Sequence, residues 1–289
     1  MSDHHIQWYP GHMAKARREA KEKLNLVDIV IELVDARLPL ASRNPVIEEI
    51  IGNKKSLVVL NKADLADPAA TQAWIHYFKQ SGLEAIAIDA QHNKGIKKVQ
   101  DYLKEMMSDY FQKQREKGVK DRPIRLMILG IPNVGKSTLI NRFVGKNQAQ
   151  TGNKPGVTKA QRWLKIGRDF ELLDTPGILW PKFEDPQTGV KLAISGAIKD
   201  SLLYMDDLAL SLLDHLQNHY PESISQRYKI SSEDVEALSK VDLLLLITQK
   251  MGLKEDYDQA SLRLINDFRS GKLGAISLEL TDKDTEVNE

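Results

Sequence analysis

The chain has 289 residues, no cysteine, and 41 Lys and Arg against 40 Asp and Glu. That length provides for one large or two ordinary domains with a proper core. The missing cysteines exclude disulfides, thiolate metal sites and a cysteine nucleophile, which fits a reducing compartment.

Residues 1–25 are polar and basic, unlike a secretory leader. The longest apolar runs, such as 243–247, fall far short of the ~20 residues that span a bilayer. A cytoplasmic protein with no membrane partner is the expectation. Charge is unevenly spread: residues 1–189 hold 30 basic against 22 acidic side chains, and residues 190–289 hold 11 against 18. The basic side gathers into three runs. These are Lys15, Arg17, Arg18, Lys21 and Lys23; then Lys113, Arg115, Lys117, Lys120, Arg122 and Arg125; then Lys146, Lys154, Lys159, Arg162, Lys165 and Arg168. One such run is ordinarily a solvated face, but three point to a polyanionic partner.

In chain order, Trp8, Tyr9, Pro10 and Gly11 precede a helix expected over 13–26, with Met13, Ala16, Ala20, Leu24 and Val27 on one face. A β-branched run over 28–35 reads as a strand ending in Asp35-Ala36-Arg37. A helical segment over 44–51 leads to a strand over 56–60, which runs directly into Asn61-Lys62-Ala63-Asp64. A helix over 68–81 leads to a strand over 85–88 that ends at Asp89-Ala90. A helix over 95–116 and a basic linker follow, then an apolar strand over 124–129. That strand feeds Gly130-Ile131-Pro132-Asn133-Val134-Gly135-Lys136-Ser137 and a helix opening at Thr138. An irregular stretch over 146–159 ends in Pro155-Gly156-Val157-Thr158. Strands over 160–166 and 169–173 lead to Asp174-Thr175-Pro176-Gly177.

Beyond residue 190 the period is purely helical. Ile198, Leu202, Met205, Ala209, Leu212 and Leu216 are read as one face. Val235, Leu238, Val241, Leu245 and Thr248 are read as a second, and Tyr257, Leu264 and Phe268 mark a third helix. Alternating strands and helices argue an α/β, doubly wound, mostly parallel sheet. The expected division is an α/β domain over 1–185, a small all-α domain over 186–280, and a disordered acidic tail from Glu279, taken as 281–289 in the division.

Strand, Gly-rich turn and helix is the setting of a phosphate-binding loop. Backbone N–H groups of Asn133, Val134, Gly135 and Thr138 would face one concavity at a helix N-terminus. Lys136 would reach the β- and γ-phosphates, and Ser137 would hold Mg²⁺. Asn61-Lys62-Ala63-Asp64 chooses the base. The Asp64 carboxylate can accept from guanine N1–H and the N2 amino group, donors that adenine lacks in that pairing. Asn61 can meet N7, the Lys62 stem can cover the ring, and Asp89-Ala90 would offer the Ala90 N–H to the guanine carbonyl. Asp174 would hold Mg²⁺ through water, Gly177 N–H would touch the γ-phosphate, and Thr158 would close over both. Taken singly, the phosphate loop could be a chance turn and the 61–64 segment a helix cap. Taken together they specify a GTP-binding P-loop domain.

The order of these motifs is inverted, with guanine motifs first and the phosphate loop later. Through that order, Trp8-Tyr9-Pro10-Gly11-His12-Met13, Asp35-Ala36-Arg37 and Gly130–Ser137, the sequence resembles the circularly permuted GTPases, and among them the bacterial assembly factors of the large ribosomal subunit. The resemblance covers essentially the whole chain. It implies GTP hydrolysis, probing of immature large-subunit rRNA and ribosomal proteins by both domains, stimulation by that particle, and a monomer released after hydrolysis. It also implies a K⁺ ion at Asn133. Asp89 departs from the commoner Ser of the family.

Where many GTPases carry a water-orienting Gln after the Asp-x-x-Gly motif, this chain has Ile178, which cannot hydrogen-bond. The resemblance suggests His12 in that role; packing beside Trp8 or touching RNA is its other reading. Lys136 and Gly177 complete the expected catalytic set. After Gly177 the chain leaves for the helical domain, so γ-phosphate contacts there would bias the orientation of residues 190–280. Two rival functions stay open: a nucleotide-gated RNA-binding scaffold with incidental hydrolysis, and a permuted GTPase acting on tRNA, on another RNA or at a membrane, the last opposed by the missing apolar segment.

Overall fold

The computed structural model describes residues 18–145, 163–173 and 185–281. Its centre is strand β1, Ile29–Asp35, buried along its whole length. Such a run of apolar side chains suits a strand covered on both faces. β1 pairs in parallel with β2, Lys55–Asn61, on one side and with β4, Ile124–Gly130, on the other. β3, Ala85–Ala87, extends the sheet beyond β2, and β6, Phe170–Leu173, extends it beyond β4. β5, Trp163–Ile166, closes the edge antiparallel to β6, giving the order β3-β2-β1-β4-β6-β5.

Alternation along β1 decides which helix covers which face. Ile29, Ile31 and Leu33 pack with Val99 and Leu103 of α3, Ile96–Glu116, and with Leu139 and Ile140 of α4, Lys136–Val144. On the other face Val30 meets Ile47 and Ile50 of α1, Pro45–Ile51, while Val34 meets Trp74 and Phe78 of α2, Pro68–Gln80. Both α1 and α2 open on proline after a capping side chain, Asn44 and Asp67. That is the expected helix-start chemistry. The chain builds outward from β1 to β3, then returns to β4 across β1. The carboxyl ends of β1 and β4 therefore flank the crevice in which doubly wound sheets bind ligands.

Among the described residues six further α-helices follow: α5 Pro186–Ser195, α6 Met205–His219, α7 Pro221–Tyr228, α8 Ser232–Ala237, α9 Lys240–Lys250 and α10 Tyr257–Arg269. The expected long faces are broken. Gly196, at φ 86°, ends α5, and Ile198 lies between helices. Ser231 and Ser239 cap α8 and α9 separately through bonds from Asp234 N and Asp242 N. As a result Val241 is half exposed, and the buried side of α9 is Leu243, Leu244, Ile247 and Thr248.

Apolar side chains of these helices join the sheet's core without a break. The acidic tail expected from Glu279 is corrected at its start. Leu273, Ile276, Ser277, Leu278 and Glu279 are all buried. They form a strap that returns to the sheet: Ile276 N donates to Leu65 O at 2.9 Å and Leu278 N to Arg37 O at 2.6 Å. The Glu279 carboxylate accepts from Leu40 N and Ala41 N and meets Lys191, which outweighs its tendency to stay in water. No helix among the described residues is long and apolar enough to cross a membrane.

Candidate nucleotide site

The motifs from the two halves of the chain meet at the carboxyl edge of the sheet. After β4 the backbone turns left-handed at Asn133, φ 61°, and at Gly135, φ 101°, before α4 begins at Lys136. This curl aims the loop and the α4 N-terminus at one point and suits a phosphate. Two glycines are required sterically. A Cβ on Gly130 would lie 2.7 Å from Leu33 O, and one on Gly135 would lie 2.2 Å from Asn61 Nδ2. Ile131 and Val134 anchor the loop in the core, Lys136 is buried, Ser137 and Thr138 are half-buried, and Asn133 is exposed.

Asn61 joins the two motif sets. Its Nδ2 donates to Val134 O in the phosphate loop at 2.9 Å, and its Oδ1 accepts from Ala90 N at 3.1 Å. The Ala90 N–H, expected to face the guanine carbonyl, is thus engaged by Asn61 in this structure, and Ala90 is fully buried. The 89–92 loop is also tied to α4, because Arg142 donates to Ala90 O and Gln91 O. Asp64 faces outward at the base end. Beside it His92 Nδ1 lies 2.8 Å from Asp89 Oδ2 and 3.7 Å from Asp64 Oδ2. The imidazole stands between the two acidic side chains, within hydrogen-bond distance of Asp89 alone. Asp64, Asp89 and His92 could together approach a metal ion, but they stand at the base end, away from the phosphate loop.

Lys62 adopts φ 62° and donates to Asp35 Oδ2 at 2.8 Å. Arg37 grips the same carboxylate through Nε at 2.9 Å and Nη2 at 2.8 Å. Burial alone would raise the Asp35 pKa, but the Arg37 and Lys62 charges outweigh it and hold the carboxyl well below the usual range. Asn133 Nδ2 donates to Gly196 O at 2.7 Å, which ties the phosphate loop to the end of α5. That bond uses the amide nitrogen and not the oxygen, the atom a K⁺ ion would need.

His12, Thr158, Asp174, Gly177 and Ile178 lie outside the described residues. Asn61, Lys62, Asp64, Asp89, Ala90, Asn133, Val134, Gly135, Lys136, Ser137 and Thr138 all come to the one edge. The linkers His92 and Arg142 were not singled out in the sequence, because neither belongs to a spaced motif, and Glu279 was read only as the start of a tail. Asp35 and Arg37 were visible only as a tripeptide. Among the basic side chains of the helical part, Lys250, Lys254, Arg263 and Lys272 are exposed. Arg269 is not: it bonds Ala193 O, Ile194 O and Asp200.

Comparison with known proteins decides the family. The family described as 50S ribosome-binding GTPases matches residues 125–270, a stretch that opens on the phosphate-loop strand and leaves residues 61–64 ahead of it. A ribosome biogenesis GTPase A of Priestia megaterium is 52% identical over 282 residues, covering 95% of this chain and 96% of that protein. This chain belongs to the ribosome biogenesis GTPase A family. More distantly, the mitochondrial ribosome-associated GTPase 1 of Bos taurus is 34% identical, covering 94% of this chain and 88% of its own length. The solved structure of GNP-bound YlqF from T. maritima superposes with a TM-score of 0.63 at 26% identity, covering 92% of this chain and 98% of the other. The family's circular permutation accounts for the motif order, and family members hydrolyse GTP. This chain is a GTPase of ribosome biogenesis.

Proposed function

We propose that the protein is an assembly factor for the large (50S) ribosomal subunit. It binds immature subunit rRNA and ribosomal proteins in its GTP form, acts as a monomer in the cytoplasm, and leaves after hydrolysis. The observation that carries the nucleotide half of this reading is the Asn61 link, which unites guanine motif and phosphate loop although the chain presents them in reverse order. Support for the ribosomal half comes from the relatives' names and from the exposed basic run at 113–120.

In this reading the α/β part, 1–185, holds the nucleotide and the helical part, 186–280, adds RNA contacts. Asp64 selects guanine and Lys62 covers the ring. Asn133, Val134, Gly135, Lys136, Ser137 and Thr138 cradle the phosphates. Magnesium, when bound, stabilises charge on the phosphates; Ser137, Thr158 and Asp174 would hold it. Lys136 draws the γ-phosphate oxygens toward the loop, while Gly177 N–H orients that group. His12 would place the attacking water, since Ile178 cannot. A K⁺ ion at Asn133 Oδ1 would add positive charge beside the same oxygens.

Co-sedimentation with isolated immature large subunits tests the reading. Retention in the presence of a non-hydrolysable GTP analogue and loss with GDP is the expected result. Equal retention in both nucleotides, or none, would contradict it.

A further inference from the structure

One network at the site has no assigned role. Asp35, at the carboxyl end of β1, is 3% exposed at its side chain and Arg37 is 1% exposed. Both carboxylate oxygens of Asp35 are taken, by Arg37 Nε, Arg37 Nη2, Arg37 N and the Lys62 ammonium. Two cations converge on one buried anion. Such a group is costly to desolvate and is held only where its members are fixed from outside. The fixing comes from the helical part. The Phe268 ring, near the end of α10, lies 4.8 Å from the Arg37 guanidinium, and Leu278 N and Glu279 N both donate to Arg37 O. Arg37 Nη1 has no hydrogen-bond partner among the described residues.

Lys62 is the end of the network that meets a ligand. An untethered lysine has a freely rotating stem. With its ammonium tied to Asp35, the stem is laid down before a base arrives, and less ordering remains to be done on binding. The neighbouring residue on α10 reaches the other half of the site. Arg269 bonds Ala193 O and Ile194 O, stands 3.3 Å from where a Gly196 Cβ would be, and so shapes the turn whose Gly196 O receives Asn133 Nδ2.

We propose that Asp35 is a positioning residue for the guanine base, acting through Lys62, and that the helical part sets its geometry through Phe268 on Arg37. The proposal rests on the reading that residues 61–64 take the base. Its consequence is reciprocal coupling: whatever binds the helical part and shifts the end of α10 changes nucleotide affinity, and nucleotide changes that binding to the same degree.

The test is equilibrium binding of a fluorescent GDP to the full chain, with thermal unfolding measured alongside. Asp35→Asn should weaken GDP by about tenfold. In a Lys62→Met background the same change should add nothing, because the residue it acts through is gone. Phe268→Leu keeps an apolar side chain in the core, and it should weaken GDP several-fold with little change in Tm. Should Asp35→Asn fail to fold, Arg37→Lys, which keeps the charge and loses the two-pronged grip, replaces it in the same cycle. Equal losses in the two backgrounds, or unchanged affinity in Phe268→Leu, would overturn the proposal. Asp64→Asn is the separate control on the base site. It should trade guanine for xanthine nucleotides, whose C2 carbonyl can accept from an amide. If it does not, the base-site reading fails whatever Asp35 does.

Discussion

Asn61 closes a gap that the chain leaves wide open, and Gly135 is the residue that makes room for it. With φ 101° and only 2.2 Å between a notional Cβ and Asn61 Nδ2, Gly135→Ala strains its own backbone and must push the Asn61 amide off Val134 O and Ala90 N. The expected outcome is a loss of about 2–4 kcal/mol of stability, read by thermal unfolding, and nucleotide binding too weak to detect. Alanine that left both unchanged would mean the two motifs do not depend on each other. Both residues were legible in the sequence, as members of motifs whose chemistry is local. Their contact was not, because it depends on how β2 and β4 sit on either side of β1. The same limit hid His92: nothing in its spacing marks it, and only the fold puts its ring between two carboxylates.

At the scale of elements, the strap over 273–280 is the informative departure. Its last residues merge into the acidic ones that follow, so charge alone placed the start of a tail at Glu279. Glu279 is instead held by the N–H groups of Leu40 and Ala41 and by Lys191, partners 239, 238 and 88 residues away. Glu279→Ala leaves those N–H groups and a lysine facing a void, and should cost about 2 kcal/mol in denaturant unfolding. A loss within error would show that the strap is held by Leu278 and Ile276 alone. His215 holds the same strap through Ser277 O at 2.7 Å. Burial depresses its pKa to about 4, with His219 and Lys191 pushing the same way and the Ser277 carbonyl opposing. The unfolded chain therefore binds a proton that the folded one resists. Stability is complete above pH 6.5 and falls as pH drops from 6.5 toward 4, by no more than about 3 kcal/mol. Tm measured across that range should slope less in His215→Gln; parallel slopes would remove His215 from the account. The helix phases past residue 190 were misread for a related reason. Leucines are so dense there that several faces fit, and the caps at Ser231 and Ser239 decide between them.

For the whole molecule, the permutation was legible because motif order is a property of the sequence itself. The six-stranded parallel-then-antiparallel sheet follows from it once β1 is placed at the centre. What could not be read was how closely the helical part is fastened to the site. Phe268 sits on Arg37, Gly196 receives Asn133, and the strap bonds to the 35–41 and 65–67 turns. The coupling proposed above would run through these contacts, in either direction. On the proposed reading, the acidic balance of residues 190–289 means that RNA would be met there by local clusters and not by net charge. The most direct measurement is GTP turnover with and without isolated large ribosomal subunits, in potassium buffer at two salt concentrations. The account predicts stimulation that weakens steeply with salt, as phosphate contacts require. Turnover that stayed flat on adding subunits would contradict it.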